Sequence, residues 1–274
     1  MSQGENQTPF IEKRVVYRVP NMEHAVVKRD VEYKEVGDIA LRMDIYYPPG
    51  LDEDSELPAV IFVFGYTDSR MLEMLDSRLK DTGQYASWGR LLAASEIVGI
   101  AYETVDPHSD IKELIDYVHR NAISLQIDPD RLGLWSCSGN VPTTLSVLMD
   151  ESMDYIRCAV LYYGFMLDWC DSRKVSENAG KVGFEYPCET RTVEDLAKNI
   201  PLLVVKAGQD QTPDLNESIE QFLIEARRLN LPVDFVEHKQ GQHAFDILDN
   251  TETSRNIIQQ TITFLLSHLA TLEQ

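Results

Sequence analysis

Hydrophobic residues along the chain fall in short runs separated by longer amphipathic stretches, the alternation expected of β-strands covered by α-helices. The pattern predicts strands at Arg14–Pro20, Val31–Val36 and Ala40–Tyr47. The next run, Pro58–Gly65, is apolar almost without interruption, as a strand buried on both faces of a parallel sheet requires. A helix over Ser87–Glu96 precedes a strand at Ile97–Glu103, and a helix from about Asp110 to Leu125 precedes the apolar run that ends in RLGLWSC. Further strands are predicted at Ile156–Gly164, Pro201–Asp210 and Pro232–Lys239, with helices at Leu215–Leu229 and about Thr253–Leu272. In the last of these, Ile257, Ile258, Ile262, Phe264, Leu265 and Leu269 recur near helical spacing and form one face to pack on a sheet. Crossovers of this length favour right-handed βαβ units and a doubly wound sheet.

Two stretches interrupt the alternation. The segment from about Phe165 to Asn199 is too long for an ordinary connection and is expected to form a cap or pocket wall. Phe165 and Trp169, with Met166, Phe184 and Tyr186, are candidates to line a substrate pocket; their other reading is the small core of the cap itself. The loop Thr67–Tyr85, with Met71, Met74 and Leu75, could supply the opposite wall. Residues 1–12 read as a polar tail and 13–274 as a single domain without repeats or linkers.

The richest local signal is RLGLWSCSGNVP, Arg131–Pro142, a buried strand breaking into a helix. A nucleophile at such a corner needs small residues two before and two after it, so that the strained turn closes without collision. Centring on Ser138 puts Ser136 and Asn140 there; centring on Cys137 puts the Trp135 indole there, and centring on Ser136 puts Leu134 there. Sterics favour Ser138. Cys137 stays open, because a thiolate is intrinsically the better nucleophile.

A serine hydroxyl at this position needs a histidine base and an orienting carboxylate downstream. The run PLLVVKAGQD places Asp210 on the loop leaving a strand, and the strand after it leads into GQHAFD with His243 on a glycine-started loop. Alone, each residue reads as a loop cap or a surface histidine. In the order serine, acid, histidine, with strands and helices between them, they make a multi-part match. Asp214 and Asp246 are rival acids, and Asp210 is preferred as nearest the strand end.

With KEVGDIALRMDIYYP, VIFVFGY, RLGLWSCSGN, AGQD and GQHAF in this order, the chain resembles the α/β-hydrolases of the dienelactone hydrolase and small carboxylesterase group. The resemblance implies an α/β fold with a mostly parallel eight-stranded sheet flanked by helices, a small cap insertion after the sixth strand, and no cofactor. It implies Ser138 as nucleophile, Asp210 and His243 as its partners, and the backbone N–H groups of Gly139 and Tyr66 as the oxyanion hole. The chain departs from the pattern in lacking both glycines around the serine and in reading Phe64-Gly65-Tyr66 where a His-Gly motif is frequent. Asn140 could bring a side-chain amide to the mouth of the site and alter substrate choice. The expected activity is hydrolysis of small carboxylic esters; a thioesterase, acyltransferase or peptidase would use the same residues, and a non-catalytic ligand-binding relative is the reading from another class.

Composition narrows the partners. A net charge of −20 repels nucleic acid and anionic membranes. No apolar stretch is long enough to span a bilayer, and the amino terminus does not read as a secretory signal. Four cysteines without metal-type spacing suit free thiols in a reducing, cytoplasmic setting, with Cys170 and Cys188 as a minority disulfide pair. His238 and His243 lack an evident third ligand, so no metal site is expected. Homo-oligomerisation is left open.

Overall fold

The computed structural model describes residues 8–52, 55–169 and 172–270. Cys170 falls outside them, so the Cys170–Cys188 pairing cannot be placed. The described residues form one sheet of eight strands: β1 (Val26–Val36), β2 (Ile39–Tyr47), β3 (Leu57–Phe62), β4 (Val98–Tyr102), β5 (Ile127–Cys137), β6 (Ile156–Tyr162), β7 (Leu202–Ala207) and β8 (Val233–His238). Their order across the sheet is β1-β2-β4-β3-β5-β6-β7-β8. The pairs β1/β2 and β2/β4 are antiparallel and the remaining five are parallel. The helices are α1 (Asp68–Leu75), α2 (Gly83–Ala93), α3 (Pro107–Arg120), α4 (Val141–Leu148), α5 (Lys174–Val182), α6 (Leu215–Arg228), α7 (Phe245–Leu248) and α8 (Glu252–His268). None is long and apolar enough to cross a membrane.

Parallel register decides where chemistry can collect. Cys137 pairs with Tyr162, Tyr162 with Val205, and Ala207 with His238. The carboxyl ends of β5 to β8 therefore lie side by side, and the segments leaving them meet along one rim of the sheet. Beneath that rim is a cluster of buried rings: Trp88 from α2 lies 5.1 Å from Trp135 and 5.9 Å from Tyr162, which stacks on Phe245 at 5.6 Å. Each such side chain, taken out of water, contributes about 2–3 kcal/mol, so the floor of the rim is one of the firmest parts of the molecule.

The structure corrects several boundaries. Residues Arg14–Pro20 are not a strand. Their main-chain donors go to side chains and loops instead, Val15 N to Ser87 Oγ at 2.8 Å and Val16 N to the Asp246 carbonyl at 2.8 Å. Their apolar side chains pack against the core without joining the sheet, whose first strand β1 begins earlier than predicted, at Val26. The stretch Thr67–Tyr85 is not a plain loop: Thr67 caps α1 by accepting from Arg70 N, and α2 begins at Gly83. Between β6 and β7 lies the long insertion, which contains α5.

Candidate active site

At the end of β5, Cys137 is still extended (φ −142°, ψ 157°), and the chain reverses through Ser138 at φ +57° before a single tight turn feeds α4. A left-handed conformation at a residue with a Cβ costs about 1–2 kcal/mol and persists only when neighbours enforce it. The enforcement comes from β6. Gly164 passes so close that a Cβ there would collide with Val141 Cγ2, lie 2.6 Å from Val141 Cβ and 3.0 Å from the Ser138 carbonyl, which accepts from Phe165 N at 3.3 Å. Gly164→Ala is expected to lower stability by about 3 kcal/mol and the melting midpoint by roughly 6–10 °C, measured by thermal denaturation followed by circular dichroism.

The Cys137 thiol turns the other way. It is buried, faces Tyr85 Oη at 3.6 Å and Asn140 Nδ2 at 3.9 Å, and burial pushes its pKa up to about 12, so it is a neutral thiol at physiological pH. Asn140 also differs from expectation. Its amide does not reach the mouth: Oδ1 accepts from Gly65 N at 2.8 Å and Nδ2 donates to Tyr85 Oη at 3.0 Å. A buried amide must satisfy both ends, and here doing so ties the loop after β3 to the corner after β5.

Asp210 leaves β7 and His243 leaves β8. His243 Nδ1 lies 2.6 Å from Asp210 Oδ2, and Thr212 N donates to Asp210 Oδ1 at 2.9 Å. The Asp210 side chain is fully buried, which opposes its charge, but its bonds to His243 and Thr212 outweigh burial and hold its pKa below the usual carboxylate range. Neither rival acid meets the histidine. Asp214 is occupied by Lys174 at 3.1 Å and Asn178 at 3.1 Å. Asp246 lies within the core, accepting from Tyr163 Oη at 2.5 Å, Trp88 Nε1 at 2.8 Å and Gln84 Nε2 at 3.0 Å, and burial raises its pKa.

Tyr163 joins the two halves. It follows the residue paired with Cys137, adopts φ +31°, and sets its ring edge-on to the His243 ring at 5.0 Å while its hydroxyl is anchored on Asp246. Nothing in the sequence marks it beyond its place at a strand end.

The walls come from Tyr66, Phe184 and Phe165. A Cβ on Gly139 would lie 2.5 Å from Tyr66 Oη and 2.8 Å from Phe184 Cδ1, so a phenol and a phenyl ring close over that backbone unit. Phe184 stacks on Phe165 at 5.1 Å. Burial raises the Tyr66 pKa and keeps its hydroxyl a proton donor. Trp169 belongs elsewhere: it lines a cavity of about 340 Å³ with Leu167, Val193 and Phe222 against α6, and Lys174 Nζ sits 5.3 Å over its ring. Phe165 and Trp169, only four residues apart, therefore serve different neighbours. Among the described residues no group of three or more His, Cys, Asp or Glu side chains could hold a metal ion.

No family model matches the sequence, and no curated protein matches it. Solved structures do. A thermophilic esterase from the planctomycete Thermogutta terrifontis, in its native form, superposes with a TM-score of 0.69 over 94% of this chain and 98% of that one, at 18% identity. The same species' esterase 2 phosphorylated by paraoxon gives 0.65 over 94% and 100%, also at 18% identity. Its form phosphoramylated by tabun gives 0.66 over 93% and 98%, at 18% identity. Sheet order, the sharp turn after β5 and these full-length superpositions agree: the chain has the α/β-hydrolase fold.

Proposed function

We propose that the protein is a serine hydrolase that cleaves carboxylic esters of small substrates through Ser138, His243 and Asp210. The observation that carries the reading is the 2.6 Å contact between a fully buried carboxylate and a histidine, on the same rim of the sheet where a left-handed serine ends β5. In the first step His243 takes the Ser138 proton as Oγ attacks the ester carbonyl, and the C–O bond to the alcohol breaks as His243 returns the proton to the leaving oxygen. Water, deprotonated by the same imidazole, then attacks the acyl-enzyme and releases the acid with Ser138 regenerated. Asp210 orients the ring and stabilises its charged form. The N–H groups of Gly139 and Tyr66 hold the developing oxyanion, and the Tyr66 hydroxyl, packed against Gly139, is a further donor to it.

The aromatic walls close to the serine favour short acyl groups, and the dienelactone hydrolase-like layout remains part of this reading. That an esterase of the same fold is phosphorylated by paraoxon supports a nucleophile open to phosphorus reagents. Cys137, Cys158 and Cys188 are unpaired thiols, in keeping with a cytoplasmic enzyme. The test is peptide-level mass mapping after exposure to a fluorophosphonate. Stoichiometric modification of Ser138 is expected; a folded protein left unmodified there would refute the assignment.

Tyr66→Phe separates the hydroxyl from the backbone donors. It is expected to lower kcat for a short-chain ester about 100-fold with little change in KM, the lower end of the roughly 100- to 1000-fold cost of losing one oxyanion donor. Unchanged kcat would leave the hydroxyl as wall only.

A further inference from the structure

Away from the rim, a cavity of about 910 Å³ opens between the amino-terminal segment, Arg29 of β1, α2 and the end of α7. None of Ser138, Asp210 or His243 lines it. Its charge runs against that of the chain. Across the whole sequence 45 acidic residues face 25 basic ones, but here Lys13, Arg14, Arg18, Arg29 and Arg90 stand against Glu12, Glu23 and Asp81. Arg18 is spent on Glu23, and Arg29 on buried Asp44 at 2.8 Å. Lys13, Arg14 and Arg90 make no ion pair among the described residues. In a chain with so large an acidic excess, cations gathered around a concavity without carboxylate partners leave an electrostatic demand that an incoming anion would meet.

Two further observations give the ligand its character. Arg29 from β1 and Arg90 from α2 line the same cavity, so two guanidinium groups border one concavity from different elements. A guanidinium presents a planar fork matched to phosphate or carboxylate oxygens. The rest of the wall is apolar, from Ile11, Val15, Met22, Ile247 and Leu248, and the volume suits an organic molecule better than a bare ion.

We infer that this cavity binds an organic anion, with its phosphate or carboxylate group held by Arg14 and Arg90 beside Arg29 and its apolar body on Val15, Met22 and Ile247. The occupant would bridge the amino-terminal segment and α7, which begins two residues after His243 and is already tied to that segment by the bond from Val16 N to the Asp246 carbonyl. Binding does not depend on ester turnover, so the inference stands apart from the proposed reaction.

The experiment is calorimetric titration of the full chain at low salt with octyl phosphate, octanoate and, as the neutral control, octanol. One anion is expected to bind saturably with a single site, to raise the melting midpoint, and to lose about tenfold or more in affinity in the doubly substituted Arg14→Gln, Arg90→Gln protein. The stronger of the two anions identifies the head group. Equal affinity in the substituted protein, no saturable binding of either anion, or octanol binding as tightly would overturn the inference. Glutamine removes the charge and keeps a polar side chain at exposed Arg14 and partly buried Arg90, and the melting midpoint without ligand verifies that the substituted protein is folded.

Discussion

On the proposed assignment, Ser138→Ala is expected to abolish ester turnover, by about 10⁵- to 10⁶-fold in kcat, and to leave the melting midpoint within about 2 °C of the parent. The asymmetry follows from what the residue does. Its backbone is held at φ +57° by packing around Gly164 and Val141, and alanine meets the same steric cost there as serine, so the corner survives. What disappears is the oxygen proposed to form the acyl-enzyme. The check is a short-chain nitrophenyl ester assay beside a thermal melt, with fluorophosphonate labelling lost in parallel. Retained turnover with labelling at Cys137 would shift the nucleophile by one residue, against the buried thiol whose pKa lies near 12.

Asp210→Asn is expected to lower kcat by about 10⁴-fold while KM changes little. An asparagine fits the space but can offer its amide to His243 Nδ1, which selects the wrong tautomer, and it cannot stabilise the imidazolium formed during attack. The substitution also has a pH signature. Burial opposes the Asp210 charge but the bonds from His243 and Thr212 prevail, so its folded pKa lies below the unfolded value. A carboxylate shifted down contributes stability that is present above its unfolded pKa of about 4 and is lost as pH falls through the folded value. The stability gap between parent and Asp210→Asn is therefore expected at neutral pH and to close below about pH 4, as read from urea unfolding at a series of pH values. A gap that widened in acid would contradict the sign of the shift.

The strands that carry the site were legible because each is a short apolar run of its own. β6, β7 and β8 fall within the predicted runs and end one to three residues early where the chain peels off into the rim loops, β3 starts one residue before its run and ends three early, and β5 ends at Cys137 as predicted. What misled was apolar character without a ladder. Val15, Val16 and Val19 look like a strand because they pack against the core like one, yet their segment donates to the Ser87 side chain of α2 and to the Asp246 carbonyl of α7. Conversely, α1 was read as loop although Thr67 and Arg70 carry a capping pattern and Met71 and Leu75 an inward face, because eight residues offer too few turns for periodicity to stand out.

At the site, the sequence by itself determined the order of serine, acid and histidine and the position of the corner, because small flanking residues and a strand-to-helix break are local steric requirements. It also determined the layering, since hydrophobic period is a property of each segment alone. Only the tertiary structure decided among the acids. Asp210, Asp214 and Asp246 are alike in sequence, but the β7/β8 register brings the first to His243, α5 claims the second, and the aromatic floor encloses the third. The same holds for Asn140, turned inward because Gly65 and Tyr85 arrive there from 75 and 55 residues away, and for Trp169, which the cap delivers to α6 rather than to the serine. Such choices rest on contacts between distant segments, and a side chain's partners are fixed by which strand lies beside its own.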